Sequence, residues 1–443
     1  MKVAVIGNGG REHAIAWKLA QSESVEQVVC VPGNGGTAFE SKCVNADPSD
    51  YERISELVKE EDCSLVVIGP ENPLADGLAD ELWEAGIPTV GPKRAAARLE
   101  ASKDTAKEFM HKYGVACADS RTFTSKQEAL EYVKKHGAPV VLKADGLAAG
   151  KGVVVAMDMD DALSAVDELM EGSLVGEAGK KLVVEDYLRG TEISILAAVS
   201  VTPESAGNGT ACIKPFLSAR DHKRLCDGAK GPNTGGMGAV SPVADVTPLI
   251  ESQFEKNILE PTLKGLIAEG YDYRGFIFFG LMLTEDGPKC LEYNVRLGDP
   301  ETQAVLPLLQ SDFYGLCQAI AQGTLKDFTL DWKKGFQVAP VVVSGGYPRQ
   351  YKKGCPISMD LKGIEKSGAK VFIAGALCDR RADHSTQEDS RLITSSGRVL
   401  ACSAHGNTFE EAWNKSYGAI RCIKFEDMFY RKDIGLPGAA ESS

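Results

Sequence analysis

At 443 residues the chain is too long for one ordinary hydrophobic core, so two to four subdomains are expected. Its 43% hydrophobic and 25% charged residues are the proportions of a water-soluble globular protein, and its longest apolar runs, such as FIFFGLML from Phe276, are too short to span a membrane. A formal net charge of -13 opposes general attraction to nucleic acid or anionic membrane, so any phosphate ligand must be met by locally clustered cations.

The opening MKVAVIG lacks the basic, apolar and small-residue regions of a secretory signal, which predicts a cytoplasmic protein. Twelve cysteines lie more than ten residues apart with no CxxC pair, and six scattered histidines give no zinc spacing. Buried free thiols are therefore expected. Residues 1–92 alternate strand-like runs (KVAVIG, VEQVVCV, SLVVIG, PTVGP) with amphipathic segments, the pattern of a doubly wound parallel sheet, and an N-terminal α/β domain is read over 1–102. In VIGNGGREHA, glycines stand between strand and helix, where free amides and the helix dipole can hold a phosphate. A dinucleotide fingerprint fails there, because Glu12 occupies the third glycine position and the second strand ends in Val31-Pro32 where a ribose-binding acid would stand.

A helix is predicted over residues 95–113. Ser125 and Glu128 open a further helix that Gly137 closes. VVLKADGLAAGKGVVVA then reads as a hairpin of two valine-rich strands around a glycine loop. Lys143 and Lys151 stand at opposite ends of that loop, whose amides at Gly146, Gly150 and Gly152 can approach phosphate oxygens. It is not a P-loop, being one residue short, with Gly152 in place of Ser/Thr and a strand where a helix should begin. VVEDYLRGTE offers Glu185 and Glu192 beside main-chain groups of Asp186 and Tyr187, a mixed donor and acceptor edge of the kind an adenine and ribose would use. SARDHKRLCDGAKGPNTGGMG gathers Asp221, His222, Lys223 and Arg224 before a glycine-rich loop, with orientation or packing expected for His222.

Strand alternation in PKCLEYNVRLGDPE puts Glu292, Asn294 and Arg296 on one face, roughly 6 to 7 Å apart in succession, and Leu291, Tyr293 and Val295 on the other. One carboxylate and one amide oxygen suit Mg²⁺, which keeps waters and phosphate oxygens as its other ligands, and Arg296 would hold a transferring phosphate. A closing domain is read over 329–435, where Thr408 and Glu411 cap a helix, and residues 436–443 read as a disordered tail.

Lysine hairpin, acidic hinge, basic glycine-rich loop and Glu-x-Asn strand follow one another in the order of an ATP-grasp ligase. GNGGREHA, KADGLAAGKG, DHKR, GPNTGGMGA, RLGDPETQ and RKDIG together resemble the signatures of the phosphoribosylamine-glycine ligase family, from residue 5 to 435. The resemblance implies an α/β N-terminal domain, an ATP-grasp domain over 103–328 with a lid at about 119–190, and a small α+β C-terminal domain. It implies that Lys103, Lys143, Lys151, Glu185, Tyr187 and Glu192 surround ATP, and that Glu292 and Asn294 bind Mg²⁺ or Mn²⁺. The reaction it implies is phosphorylation of the glycine carboxylate by ATP and attack of 5-phosphoribosylamine on the glycyl phosphate. Arg296, Lys151, Asp221 and Lys223 are the expected catalytic groups. Asp221, Lys223, Thr234, Gly235, Gly236, Arg296 and Asp299 are expected to position substrates, with the Gly9-Gly10 turn as a phosphate contact. The partners expected are these small molecules alone, with no nucleic acid or membrane, in a monomer or weak homodimer. Two loops, 201–215 and 378–390, look longer than the family's and read as surface excursions. An ATP-grasp enzyme acting on another acid, and an ATP-binding scaffold without turnover, stay open at this point.

Overall fold

The structure is a computed structural model and describes residues 1–48, 53–147, 152–171, 180–379 and 392–439. At the N-terminus the strand Lys2–Gly7 pairs in parallel with Gln27–Pro32 on one side and Leu65–Ile68 on the other, with Cys43–Asn45 and Thr89–Val90 at the edges. Its central residues Val3, Ala4 and Val5 are fully buried, because helices cover both faces of a parallel sheet, and the strand accordingly reads as a continuous apolar run.

The helix expected over 95–113 is two helices, Arg94–Ala101 and Lys103–Tyr113. They part at Ser102, which turns extended (φ -136°, ψ 115°) so that its hydroxyl caps the second helix from Thr105 N at 3.1 Å. A second departure lies at Pro248–Phe254 and Glu260–Ala268, which a π-helical turn, Glu255–Leu259, joins. Pro261 has no N–H to give to the carbonyl of Asn257, and Ala116 N takes that carbonyl instead at 2.9 Å. The missing helix bond thus becomes an anchor for the chain entering the next unit.

That next unit is an antiparallel sheet ordered Ser120–Phe123, Leu182–Asp186, Val140–Ala144, Val153–Ala156, covered by the helices Lys126–His136 and Met159–Glu171. The predicted hairpin is present, with Val140 opposite Ala156 and Lys143 opposite Val153. Its buried apolar cluster, from Phe123 to Val184, draws on no residue outside this segment. The first domain behaves differently. Ile6 and Val66 share one core with Phe279 and Tyr293, and Val3 and Leu19 share another with Phe278 and Phe313.

A nine-stranded sheet runs through the remainder, in the order Gly287–Asn294, Tyr273–Thr284, Thr191–Val201, Cys212–Asp221, Gly238–Ser241, Phe336–Val343, Arg398–Gly406, Ala369–Ile373, with Phe429–Tyr430 also on Phe336–Val343. Gly238–Ser241 pairs with both Cys212–Asp221 and Phe336–Val343, so one sheet crosses from the middle of the chain into the C-terminal segment.

Local expectations are corrected in three further places. The 201–215 excursion contains the helix Pro203–Asn208, capped by Thr202, and re-enters the large sheet at Cys212. Ala439, expected in the disordered tail, is buried, and its carbonyl accepts from Arg431 Nη2 at 2.7 Å, while Leu436, Pro437 and Gly438 are exposed. In the strand Gly287–Asn294, Gly280 faces Glu292 while Leu281 faces Cys290, so Leu291 is an extra, bulged residue. Cys290, not Leu291, therefore joins Tyr293 and Val295 in the core. All twelve cysteines are free thiols; six are buried and Cys378 is exposed. No helix among the described residues is long and apolar enough to cross a membrane.

Candidate active site

The bulge at Leu291 sets the site. After it, Glu292 and Asn294 keep the alternation, and Glu292 faces a cluster of lysines contributed by three separate elements. Lys103 opens the helix Lys103–Tyr113, Lys143 lies on the hairpin, and Lys223 follows the strand Cys212–Asp221. Burial disfavours the Glu292 charge, but Lys223, Lys143 and Lys103 outweigh it and hold the carboxyl below its ordinary range. Lys143 shows the converse. Burial alone would lower its pKa, and Glu185 and Glu292 together raise it. Burial dominates at Lys103 and lowers its pKa despite Glu292. An ionised carboxylate beside an amide oxygen, ringed by cations that a phosphate chain can share, fits a hard divalent ion whose other ligands come from nucleotide. No group of three or more His, Cys, Asp or Glu side chains fit for a metal occurs among the described residues.

The hairpin side is tied by ion pairs. Glu185 lies between Lys143 and Lys107, at 2.9 Å from each ammonium. Lys143 Nζ also reaches the carbonyl of Leu291 at 3.4 Å, and Lys103 Nζ donates to the carbonyl of Gly146 at 2.7 Å. Gly146 takes φ +127°, open to glycine and rarely to other residues. Gly152 accepts from Ala144 N at 2.7 Å where the loop returns. Tyr187 is half-buried just beyond the strand Leu182–Asp186. Gly150 and Lys151 lie outside the described residues.

Arg296 is held more firmly than the sequence suggests. Its Nε meets Glu71 at 3.2 Å, and its Nη2 meets Glu100 at 2.8 Å and Asn294 Oδ1 at 3.2 Å. Its Nη1 donates to the Leu297 carbonyl at 3.2 Å, so most of the guanidinium's donors are engaged within the protein. Burial raises the pKa of Glu100, whereas Arg296 and Arg11 overcome burial at Glu71 and lower it.

The substrate loops meet at Asp299. Its carboxylate accepts from Arg11 N at 3.3 Å and Gln303 Nε2 at 3.0 Å and lies 3.4 Å from Arg398 Nη1. Arg398 also donates to the carbonyls of Asp299, at 2.9 Å, and Gly235. Thr234 N and Oγ1 each donate to the Lys223 carbonyl at 2.8 Å, Gly236 N donates to Thr234 Oγ1 at 3.0 Å, and Gly235 N to the Tyr347 hydroxyl at 2.9 Å. A side chain at Gly236 (φ +114°) would meet Pro300 at 2.5 Å and Asp221 at 2.7 Å, so the approach of these loops requires glycine there. Desolvation, then the neighbouring Glu301, pushes the Asp221 carboxyl well up. Lys223 pairs with Glu192. His222 is buried; Nδ1 contacts the Gly238 carbonyl at 3.1 Å and Nε2 accepts from Gly435 N at 3.0 Å. Burial pulls its pKa down to about 4, so the neutral ring organises backbone on both sides, as packing rather than base chemistry requires.

At the N-terminal turn, Gly9 N donates to Glu12 Oε2 at 2.6 Å, so this amide already has a carboxylate of its own chain. The Glu12 side chain fills the space that a Cβ at Gly7 or Gly69 would need. Gly10 is buried against Gln303. Sequence reasoning passed over Lys107, Glu71, Glu100, Arg11 and Arg398; the first three carry no local motif and acquire their place only through the fold.

A doubly wound N-terminal domain, a small antiparallel unit over a charged strand end, and an acid, beside an amide, facing three lysines define an ATP-grasp enzyme, which uses ATP with a divalent metal. The fold alone is shared more widely: the chain aligns over 97% of its length with the biotin carboxylase domain of 2-oxoglutarate carboxylase from Hydrogenobacter thermophilus at a TM-score of 0.69 and 16% identity, covering 91% of that chain. The chain belongs to the phosphoribosylglycinamide synthetase family, matching its N domain over residues 1–100, its ATP-grasp (A) domain over 101–302 and its C domain over 337–437. It is 48% identical to phosphoribosylamine--glycine ligase of Clostridium acetobutylicum, covering 98% of this chain and 99% of the relative, and 45% identical to that of Allochromatium vinosum, covering 98% of each. The crystal structure of phosphoribosylamine--glycine ligase from Thermotoga maritima superimposes with a TM-score of 0.82 at 35% identity, covering 98% of this chain and all of that one.

Proposed function

We propose that the chain joins glycine to 5-phosphoribosylamine at the expense of ATP, giving glycinamide ribonucleotide, ADP and phosphate, in de novo purine biosynthesis. The observation that carries this reading is Glu292, beside Asn294, facing Lys103, Lys143 and Lys223 in a chain that matches the family in all three of its domains. A glycine carboxylate oxygen attacks the γ-phosphorus and ADP leaves; the amine nitrogen then attacks the carbonyl carbon of the glycyl phosphate, phosphate leaves, and the nitrogen loses a proton.

In this reading Glu292 and Asn294 hold Mg²⁺ or Mn²⁺, which neutralises phosphate charge when bound. Lys103, Lys143 and Lys151 take the nucleotide's anionic oxygens, with Gly146, Gly150 and Gly152 letting the loop approach them. Glu185, Tyr187 and Glu192 serve the adenosine end. Lys223 and Arg296 stabilise charge at the phosphoryl group, through preorganised contacts that cost no rearrangement during reaction. Asp221, Thr234, Gly235, Gly236 and Asp299 position glycine and the amine, with the remaining amides of the Gly9-Gly10 turn near the ribose phosphate. Segment 119–190 acts as the lid of an ATP-grasp domain spanning 103–328, flanked by domains 1–102 and 329–435, and excludes water from the acyl phosphate. The enzyme works on small molecules in the cytoplasm, as a monomer or weak homodimer.

The test is ADP release with MgATP, glycine and phosphoribosylamine generated in situ, omitting each in turn. ADP that needs all three is the expected result. ADP formed with another acid, or without the amine, would discard the substrate assignment and keep the fold.

A further inference from the structure

Lys107 belongs to no motif, yet it is 4% exposed and its ammonium lies 2.9 Å from Glu185, the carboxylate that also contacts Lys143. It comes from the helix Lys103–Tyr113, whereas Glu185 and Lys143 belong to the small antiparallel sheet, on adjacent strands with Glu185 opposite Val141 and Val183 opposite Lys143. We propose that Lys107 is a positioning residue of the nucleotide site, which neutralises Glu185 and so leaves Lys143 available to the nucleotide's phosphates. This inference rests on the nucleotide-site reading above.

The argument is one of charge balance. Lys143 faces Glu185 and Glu292 most strongly and Glu192 after them, and each draws on its single positive charge. Glu292 has Lys103 and Lys223 besides. Glu185 has only Lys107 as a second cation within ion-pair distance among the described residues. Without Lys107, a nearly fully buried carboxylate would depend on Lys143 alone, and an incoming phosphate would have to take that lysine from a group that cannot be left bare at such depth. With Lys107 in place, the carboxylate stays compensated when Lys143 turns toward phosphate. Neither Lys107 Nζ nor Glu185 Oε1 has a hydrogen bond of good direction, so the lysines are held to Glu185 by charge rather than by fixed aim. That is the condition under which Lys143 can be redirected cheaply.

The experiment is calorimetric titration of MgADP into four full-length proteins: wild type, Lys107→Met, Glu185→Gln, and the double variant. Lys107→Met is expected to weaken MgADP about tenfold or more, and the double variant to bind MgADP within about threefold of Glu185→Gln, because Lys107 acts through Glu185 and coupled neighbours are non-additive. Wild-type affinity in Lys107→Met would overturn the proposal, as would a double variant about tenfold or more weaker than Glu185→Gln, since a lysine that acts apart from Glu185 still matters once that charge is gone. Should Lys107→Met fail to fold, the double variant against Glu185→Gln decides: equal affinity supports the proposal and a tenfold or greater loss sinks it. Wild-type protein that does not bind MgADP would remove the nucleotide site itself, and the proposal with it.

Discussion

The two walls of the charged cleft are built on different principles. The wall that carries Lys143 and Glu185 belongs to a sheet whose apolar cluster is entirely its own, and it reaches the rest of the molecule through polar contacts such as Lys107–Glu185, Lys181–Asp104 and Lys103 to Gly146. The wall that carries Glu292, Asn294 and Arg296 grows out of cores shared between the first and middle domains, and Arg296 is gripped by two carboxylates from the N-terminal hundred residues. Polar contacts can be exchanged for a ligand's, whereas a shared core cannot be opened without unfolding. One wall is thus fixed in advance for the developing charge and the other is portable, which is the division that water exclusion around a labile acyl phosphate calls for.

The strongest way to break this comparison is at the fixed wall. Glu292→Gln should lower kcat by about 10² to 10³-fold, the scale of losing one preorganised electrostatic element, while the thermal midpoint stays near wild type. Full turnover in that variant, measured as ADP release, would remove the metal assignment. Arg296→Met should act on stability as well, because it strips the cation from buried Glu100 and leaves Glu71 with Arg11 alone, 3.9 Å away. Breaking a buried pair costs about 3 kcal/mol or more, read as a shift of the urea midpoint. A loss below about 1 kcal/mol would mean that the interlock with the first domain is incidental.

How much of this was legible in the sequence divides along the same line. The portable wall is local: Ser125 as cap, Gly137 as stop, two valine strands and a glycine loop all lie between residues 125 and 156, and the hairpin appears where the pattern puts it. The Glu-x-Asn pair was legible for the same reason. The interlock was not, because Arg296 and Glu71 stand 225 positions apart and nothing near either names the other. Leu291 was misread because alternation assumes an unbroken ladder, and only the partner strand, where Gly280 and Leu281 face Glu292 and Cys290, shows the extra residue. Lys107 is invisible for a related reason: it is one lysine among many on a helix, and its partner Glu185 comes from a strand far along the chain.

Acid should loosen the substrate loops through His222, which packs between Gly238 and Gly435. Its folded pKa is about 4 against an unfolded value of 6.5, so the unfolded chain binds the proton first. The stability from burying the neutral ring is fully present above pH 6.5 and is lost as pH falls toward 4, by about 2 kcal/mol between pH 7 and 5. The carboxylates held low by their cations, such as Glu292 and Asp299, add their loss only below their own ordinary range. His222→Gln should therefore flatten urea stability between pH 7 and 5. An unchanged slope would move the acid sensitivity to other groups.

The smallest effect is expected at the portable wall. Lys181 bonds Asp104 at 2.5 Å across to the helix that carries Lys103, and Thr122 bonds the same carboxylate at 2.7 Å. The lysine side chain is 44% exposed and solvent screens it, so the pair contributes at most a few tenths of a kcal/mol and Thr122 keeps Asp104 partnered when it is gone. Lys181→Met should therefore leave the urea midpoint unchanged and alter the KM for ATP by less than about threefold, with kcat untouched. A large rise in KM, without loss of stability, would show that this single surface pair sets how the small sheet rests on the body. The portable wall would then be latched rather than loosely held, and the contrast between the two walls would narrow to one of position in the chain.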